Sequence, residues 1–311
     1  MGYKLAGFNV VGCCEIDPAM MKVYKQNNHP RYSFQMDVRD FVKQDLPEEL
    51  YHLDILDGSP PCSVFSLAGK REDGWNKEKQ FREGQEMQRL DDLFFHFIAI
   101  AEKLKPKVVI AENVKGLLAG NAKGYVNEII KAFKAAGYDV QLFLLNSARM
   151  GVPQTRERAF FVARRSDLHL PKIALDFNEP IITFGEVRDE HGEPFTGNGK
   201  VMQALMELRQ PGDRCVADIS NRVRRKNSGF TMSINNDDSP SATIVAGGSM
   251  FRFVDGLHYT HNDFVHCQTF PEDYDFMDQP TQYVCGMSVP PVMMAHVAQA
   301  VYEQVFNGAK K

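Results

Sequence analysis

The chain has 311 residues, of which 43% are hydrophobic and 24% charged, with a formal net charge of −4. These values are typical of an ordinary soluble globular protein with one large domain or two of moderate size. No apolar run approaches the ~20 residues of a membrane span and no secretory leader is present, so we expect a cytoplasmic protein without a membrane partner. The six cysteines lack regular spacing, which predicts free thiols. The charge neither favours nor excludes nucleic-acid binding, because the local field decides that.

The first predicted elements end in an acidic residue. Residues 1–7 are typical of a last helical turn closed by a glycine, and Phe8 to Ile16 is a strand-like apolar run with Glu15 at its carboxyl end. Asp17-Pro18 then predicts the N-cap and first residue of a helix. A carboxylate at the end of such a strand can accept hydrogen bonds from both hydroxyls of a ribose. The alternative is a surface acid or a partner of the helix cap.

A stiff loop then presents a cysteine. Asp37 follows a short strand, where it can contact a ligand or cap a short helix. Leu53 to Leu56 predicts a buried strand and Asp57-Gly58 a turn. Pro60-Pro61 fixes the backbone after it and holds Cys62 where open α/β sheets bind ligands. Cys62 is a nucleophile if a positive charge or a helix N-terminus favours its thiolate, and otherwise a small buried residue.

The next stretch places a carboxylate at the end of another strand. Residues 69–86 are polar and glycine-containing, which predicts a mobile loop. Residues 87–104 have apolar side chains at helical spacing, and Pro106 ends that helix. The run 107–114 is a predicted strand that ends in Glu112-Asn-Val114, and burial can raise the pKa of Glu112 for acid chemistry.

Another helix–strand unit leads to two arginines. The pattern predicts a helix over 122–135 and a strand over 138–145, followed by a loop with Arg156 and Arg158. A strand over 159–163 turns back as in a hairpin. Strands and helices therefore alternate up to about residue 167, which is the pattern of a doubly wound sheet.

The composition and periodicity of the sequence change from about residue 178. Glycines and prolines increase and helical periodicity fades except near 199–209, so we expect a smaller, irregular domain with short polar strands. Its basic cluster has two open interpretations, a phosphate contact and a solvated loop; it comprises Arg222, Arg224, Arg225 and Lys226. A helix over 291–305 closes the chain.

Several motifs occur in the order found in one enzyme family. Pro60-Pro-Cys62, Glu112-Asn-Val114 and Gln154-Thr-Arg-Glu-Arg158 resemble the DNA (cytosine-5)-methyltransferases of bacterial and phage restriction–modification systems. Three later segments add to the resemblance: Ser239–Gly248, His258–Pro271 and Gly286–Pro291. Together the six segments extend over nearly the whole chain.

The resemblance implies a fold and a domain division. It implies a doubly wound, Rossmann-like sheet of the S-adenosylmethionine-dependent methyltransferases in residues 1–177. Residues 178–284 would form a target-recognition domain whose loops read bases in the major groove of duplex DNA. Residues 285–311 would return to the catalytic domain. The implied protein is a monomer, unless another chain contributes a segment.

The resemblance also implies a site. Cys62 would attack the cytosine ring, Glu112 would hydrogen-bond the ring nitrogen and amino group, and Arg158 together with Arg156 would hold the base carbonyl and a phosphate. The implied cofactor is S-adenosylmethionine, with S-adenosylhomocysteine as product and no metal. Its predicted contacts are Glu15, Ile16, Asp37, Val38, Pro60, Leu93, Ser288 and Val289, although core packing is the safer role for Leu93.

The chain departs from the family pattern at several places. Met287 stands where asparagine is usual, His258 and His266 where arginines are usual, and Asp263 where glutamate is usual. The spacing of His258, His261 and His266 does not fit a standard metal site.

The family's first motif, a strand followed by a glycine-rich turn, would precede residue 1. Its strand would lie in the centre of the sheet. We expect an upstream start, with a second chain or a defective protein as alternatives. The alternative functions are a catalytically impaired DNA-binding paralogue and an RNA cytosine-5 methyltransferase, whereas a nicotinamide-dependent oxidoreductase leaves Cys62, Glu112 and Arg158 unexplained.

Overall fold

The computed structural model describes residues 1–61, 92–119, 122–196, 200–224 and 232–307. Cys62, the loop predicted over 69–86 and two members of the basic cluster, Arg225 and Lys226, lie outside the described residues. The chain forms two compact units that interleave along the sequence. The helical unit comprises Met1–Phe8, Asn146–Arg156 and Asp176–Gln299, and the sheet unit comprises Asn9–Leu145, Glu157–Leu175 and Ala300–Lys311. The boundaries of these units differ from the domain boundaries predicted at residues 177 and 284. The predicted division into domains stays a prediction.

The described residues contain eight strands and eleven α-helices. The strands are β1 Gly12–Cys14, β2 Tyr32–Phe34, β3 Ile55–Gly58, β4 Val108–Val114, β5 Tyr138–Asn146, β6 Glu157–Arg165, β7 Ile234–Asn235 and β8 Phe251–Arg252. The helices are α1 Gly2–Leu5, α2 Pro18–Asn28, α3 Val38–Phe41, α4 Leu93–Leu104, α5 Ala122–Ala135, α6 Phe184–Val187, α7 Lys200–Met206, α8 Val216–Arg224, α9 His261–Gln268, α10 Thr281–Met287 and α11 Pro291–Val301.

The strands of the sheet unit form a four-stranded sheet and a separate pair among the described residues. The order in the larger sheet is β3-β4-β6-β5, with β3 parallel and β6 antiparallel to β4, while β1 pairs with β2 in parallel. All but the last residue of β4 are buried, as expected for a strand that is paired on both sides. Strands and helices alternate as the sequence predicts, and β6 lies beside β5 as the predicted hairpin requires.

Aromatic side chains of α4 and α5 form the main core of the sheet unit. Phe94 makes edge-to-face contacts with Phe133 of α5 and with Phe161 of β6, and all three side chains are fully buried. Phe97, one turn after Phe94, packs on Gly58 so closely that a Cβ there would lie 2.4 Å from its ring. The glycine thus brings the end of β3 against α4.

Several predicted boundaries were wrong. The strand predicted from Phe8 to Ile16 is regular only over Gly12–Cys14. Asp57-Gly58 was predicted as a turn but belongs to β3, because close packing on Phe97 requires the glycine there. Residues 178–284, expected to be rich in short strands, contain four helices, the start of a fifth and two strands of two residues among those described.

The helical unit has its own core between α7, α8 and β8. Leu205, Met206, Val216 and Ile219 pack there with Phe251. Toward the carboxyl end of the chain, the helical stretch Thr281–Phe306 is long and apolar enough to cross a membrane by length and composition alone. However, 50% of its most apolar window is buried within the protein, which is also what a core helix of a soluble protein shows.

Candidate active site

The loop that leads to Cys62 is fixed to the strand that carries Glu112. β3 and β4 run parallel, so their carboxyl ends meet at one edge of the sheet. There the Asn113 side-chain amide donates to the carbonyl of Pro60 at 3.0 Å, and this bond is buried. Pro60 is itself buried, as a residue between two strand ends should be. Sequence reasoning quoted Asn113 in a motif but gave it no role.

Glu112 and Arg158 form an ion pair at the same edge. Val114 lies opposite Arg158 in the antiparallel β4–β6 ladder, and Glu112 is two residues before Val114, so all three side chains emerge on one face of the sheet. Arg158 Nε lies 2.9 Å from Glu112 Oε1, and the two side chains are only 14% and 11% exposed. Burial lowers the pKa of Arg158, and the charge of Glu112 opposes that shift.

Arg156 has different surroundings from Arg158. Its side chain is 2% exposed, and its two terminal nitrogens each donate at 2.8 Å, one to the carbonyl of Ile244 and the other to that of Gly286. A guanidinium enclosed in this way holds two segments of the helical unit together. The predicted contact of Arg156 with a base or a phosphate stays a prediction.

Glu15 directly follows β1, in a setting suited to a polar ligand. One of its carboxylate oxygens accepts a hydrogen bond from the backbone N–H of Asp17 at 2.8 Å. Burial raises the pKa of Glu15 above its ordinary value. Ile16, which follows it, exposes 42% of its surface. A carboxylate beside exposed apolar surface fits a ribose with its attached adenine.

Asp37 caps α3, which was the alternative interpretation of this residue. Its Oδ1 accepts from the backbone N–H of Arg39 at 2.8 Å, and its Oδ2 accepts from the Arg39 guanidinium at 2.9 Å. Arg39 also reaches Asp92 at 2.6 Å. Val38 is the first residue of α3 and is partly exposed. Sequence reasoning missed Arg39 and Asp92.

The remaining predicted cofactor contacts, Leu93, Ser288 and Val289, differ in their surroundings. Leu93 begins α4 and is 6% exposed, in agreement with a core role. Ser288 and Val289 follow α10 in the helical unit and are partly exposed. The side-chain amide of Gln268 donates to the carbonyl and to the hydroxyl of Ser288 at 2.9 and 3.1 Å. Met287 exposes 53% of its surface.

The five cysteines that the structure describes are free thiols, as predicted: Cys13, Cys14, Cys215, Cys267 and Cys285. Burial raises the pKa of Cys13 to about 11 and that of Cys14 to about 12. Thiols with such raised pKa values are poor nucleophiles at neutral pH, because the thiolate reacts and the thiol does not.

Comparison with known proteins identifies the family. The family model described as C-5 cytosine-specific DNA methylase matches residues 1–303. The chain belongs to this family. Among curated relatives, the chain is 33% identical over 174 residues to the type II methyltransferase M.NgoPII of Neisseria gonorrhoeae, covering 55% of this chain. It is 26% identical over 330 residues to M1.HphI of Haemophilus parahaemolyticus, covering 99% of this chain.

Each match covers a smaller share of the relative than of this chain. The matches cover 46% of M.NgoPII and 47% of M.FnuDI of Fusobacterium nucleatum, about half of each, but 84% of M1.HphI.

Solved structures share the fold. A methyltransferase encoded within an Escherichia coli prophage superposes with a TM-score of 0.67 at 17% identity, covering 97% of this chain and 94% of that one. DNMT2 of Spodoptera frugiperda gives 0.57 at 18%, covering 97% and 95%. The predicted α/β fold of S-adenosylmethionine-dependent methyltransferases is thereby confirmed.

Two open predictions of the sequence concern the helical unit. In the basic cluster, Arg222 pairs with Asp213 at 2.6 Å and donates to the carbonyl of Leu208, so its charge is partly neutralised. Of the three histidines, His258 packs against Phe251. The described part of the chain contains no group of three His, Cys, Asp or Glu side chains arranged for a metal ion.

Proposed function

We propose that this protein transfers a methyl group from S-adenosylmethionine to carbon 5 of a flipped-out cytosine in duplex DNA, through a covalent adduct with Cys62. One observation carries the proposal. The Glu112–Arg158 pair lies at the sheet edge where Asn113 holds Pro60, two residues before Cys62. Neighbouring strands thus support the carboxylate of Glu112 and the loop that leads to Cys62, the proposed nucleophile.

The chemistry assigns each residue one role. The Cys62 thiolate attacks carbon 6 of cytosine, which makes carbon 5 nucleophilic as an enamine. A proton shared between Glu112 and the ring nitrogen, together with a hydrogen bond that Glu112 accepts from the amino group, stabilises the charge that develops on the ring, while Arg158 orients Glu112 and binds the base carbonyl. Carbon 5 would take the methyl group, a base would then remove the proton from carbon 5, and the thiolate would leave as the ring double bond forms again. The cytosine must leave the stack first, at a cost of roughly a few kcal/mol.

S-adenosylmethionine supplies an electrophilic methyl group when bound. Glu15 would accept hydrogen bonds from its ribose, since the carboxylate lies at a strand end beside exposed apolar surface of Ile16. Ser288 and Val289 would contact the methionine part. S-adenosylhomocysteine would be the product, no metal would be required, and the cytoplasm would be the place of action.

The decisive test is transfer of a labelled methyl group to duplex DNA. We expect Cys62→Ser to abolish transfer while duplex binding in a gel-shift assay remains measurable, because the serine hydroxyl is a far weaker nucleophile. Cys215→Ser, which alters a free thiol in the helical unit, is the matched control and should keep wild-type transfer.

Substantial turnover by Cys62→Ser would refute the nucleophile. Transfer by the wild type to transfer RNA but not to duplex DNA would identify an RNA enzyme instead. DNA binding without transfer to either substrate would indicate the catalytically impaired paralogue.

A further inference from the structure

Arg39 connects two parts of the sheet unit that are distant in the sequence. One terminal nitrogen of its guanidinium lies 2.9 Å from Asp37 Oδ2, and the other lies 2.6 Å from Asp92 Oδ1. Its backbone N–H also donates to Asp37 Oδ1. Asp37 precedes α3 and Asp92 precedes α4, so this one side chain joins the starts of two helices.

The two halves of this bridge differ in their exposure to solvent, since the Asp92 side chain is 46% exposed. The side chains of Arg39 and Asp37 are 23% and 22% exposed, so solvent screens them only in part. Burial raises the pKa of Asp92, but the hydrogen bond and charge of Arg39 outweigh burial, and the resulting pKa lies below its usual range. His96, 3.7 Å from Asp92 on the following turn, is a further charged neighbour when protonated.

Both helix starts that Arg39 joins carry contacts to S-adenosylmethionine predicted from the family resemblance. That resemblance implies that Asp37 meets the adenine amino group, with Val38 beside it, and that Leu93, which follows Asp92 directly, also touches the cofactor. A carboxylate has about four lone-pair sites. Arg39 occupies one lone-pair site on each oxygen of Asp37. It thereby fixes the directions in which the remaining lone pairs of Asp37 can accept hydrogen bonds.

We propose that Arg39 is a positioning residue for recognition of the adenine amino group of S-adenosylmethionine. It orients the Asp37 carboxylate as an acceptor and, through Asp92, sets the spacing between α3 and α4. This proposal rests on the proposed function. It requires arginine rather than lysine, because only a planar fork of donors reaches both carboxylates at once.

The experiment compares two ligands that differ at the adenine amino group. S-adenosylhomocysteine carries that group, whereas S-inosylhomocysteine has a carbonyl oxygen in its place. By calorimetry, Arg39→Ala should weaken binding of the adenosyl compound about tenfold, since a misdirected acceptor loses most of one charged hydrogen bond. Binding of the inosyl compound, which has no amino group to offer, should change less than about twofold.

Three further variants sharpen the comparison. Arg39→Lys should recover only part of the adenosyl affinity, and Asp92→Asn should cause a smaller loss in the same direction while preserving the shape of the side chain. Arg31→Ala is the matched control, since Arg31 makes an exposed ion pair with Glu49 at 2.5 Å in the same unit and should bind both compounds like the wild type.

The outcomes separate this inference from the function on which it rests. Unchanged adenosyl affinity in Arg39→Ala, or equal losses for both compounds, would overturn the positioning role and leave the proposed function intact. If Arg39→Ala does not fold, the same comparison is made on Asp92→Asn. If the wild type binds neither compound, the proposed use of S-adenosylmethionine is contradicted. The positioning role of Arg39 is then contradicted as well.

Discussion

Arg156 and Arg158 show how strongly the surroundings of a side chain determine what it can do. Both belong to one short motif, and the sequence offers no feature that separates them. Arg158 is the second residue of β6, where the ladder directs its side chain toward Glu112. Arg156 lies before that strand and donates to two carbonyls of the helical unit. The first can face a ligand with its carboxylate, and the second stabilises the backbone around Gly286.

Glu15 is expected to make cofactor binding depend on pH. Because burial raises its pKa above the ordinary value of 4.5, the carboxylate takes up a proton at a higher pH than an exposed glutamate. A protonated carboxyl accepts hydrogen bonds more weakly. The affinity for S-adenosylhomocysteine should therefore fall as the pH is lowered toward this raised pKa.

Calorimetry between pH 5 and 8 on the wild type and on Glu15→Gln would measure this dependence. The glutamine variant should bind several-fold more weakly at neutral pH and lose the dependence, since it has no proton to gain. A variant that keeps the wild-type pH profile would exclude Glu15 as its source.

At the scale of elements, α9 shows how this chain accommodates its departures from the family. Asp263 is fully buried and caps α9 together with Thr260. Arg252 of β8, also fully buried, lies 3.6 Å from it, while His258 packs against the rings of Phe195 and Phe251. The buried carboxylate of α9 thus has its guanidinium neighbour on β8, and His258 does not need to supply a positive charge.

Gly58 is expected to control the fit between β3 and α4. A Cβ at this position would lie 2.4 Å from the Phe97 ring, so Gly58→Ala should lower the free energy of unfolding by about 1–3 kcal/mol. Combining it with Phe97→Leu should recover part of that loss, because the smaller side chain leaves room for the methyl group.

Denaturant unfolding of both single variants and the double variant gives the coupling energy directly. The matched control is Gly124→Ala in α5, where an added Cβ meets nothing within 4 Å. Additive losses from Gly58→Ala and Phe97→Leu would contradict the contact.

At the scale of the whole molecule, stability is expected to be uneven across the strands of the sheet unit. β4 is buried and paired on both sides, whereas β1 and β2 form a separate pair of three residues each, partly exposed. Amide hydrogens in β4 and β6 should therefore exchange only through large-scale unfolding, and those of β1 and β2 through local opening.

Hydrogen exchange measured by mass spectrometry would compare peptides covering residues 8–16 and 107–114 under native conditions. We expect the first to exchange at least tenfold faster, because it has fewer buried neighbours. Equal protection would mean that the two groups of strands open as one cooperative unit.

The sequence alone determined the alternation of strands and helices, the cap of α2 by Asp17 and the bounds of α5. These features depend on neighbours in the chain: Asp17 accepts hydrogen bonds from Ala19 and Met20, and a helical period needs only the residues within it. It also placed Glu112 at a strand end, because an apolar run that stops at a carboxylate is visible without tertiary contacts.

Only the tertiary structure decided where long-range partners lie. The dipeptide Asp57-Gly58 has the local sequence of a turn, and only the packing of Phe97 on the glycine shows that it belongs to a strand. Likewise, the sequence around Arg39 does not reveal its ion pair with Asp92, which lies 53 positions later in the chain. Arg156 and Arg158 are likewise alike in sequence and distinct in space. The physical reason is the same in each case, since packing and ion pairing depend on distances that the folded chain creates and that local sequence patterns do not contain.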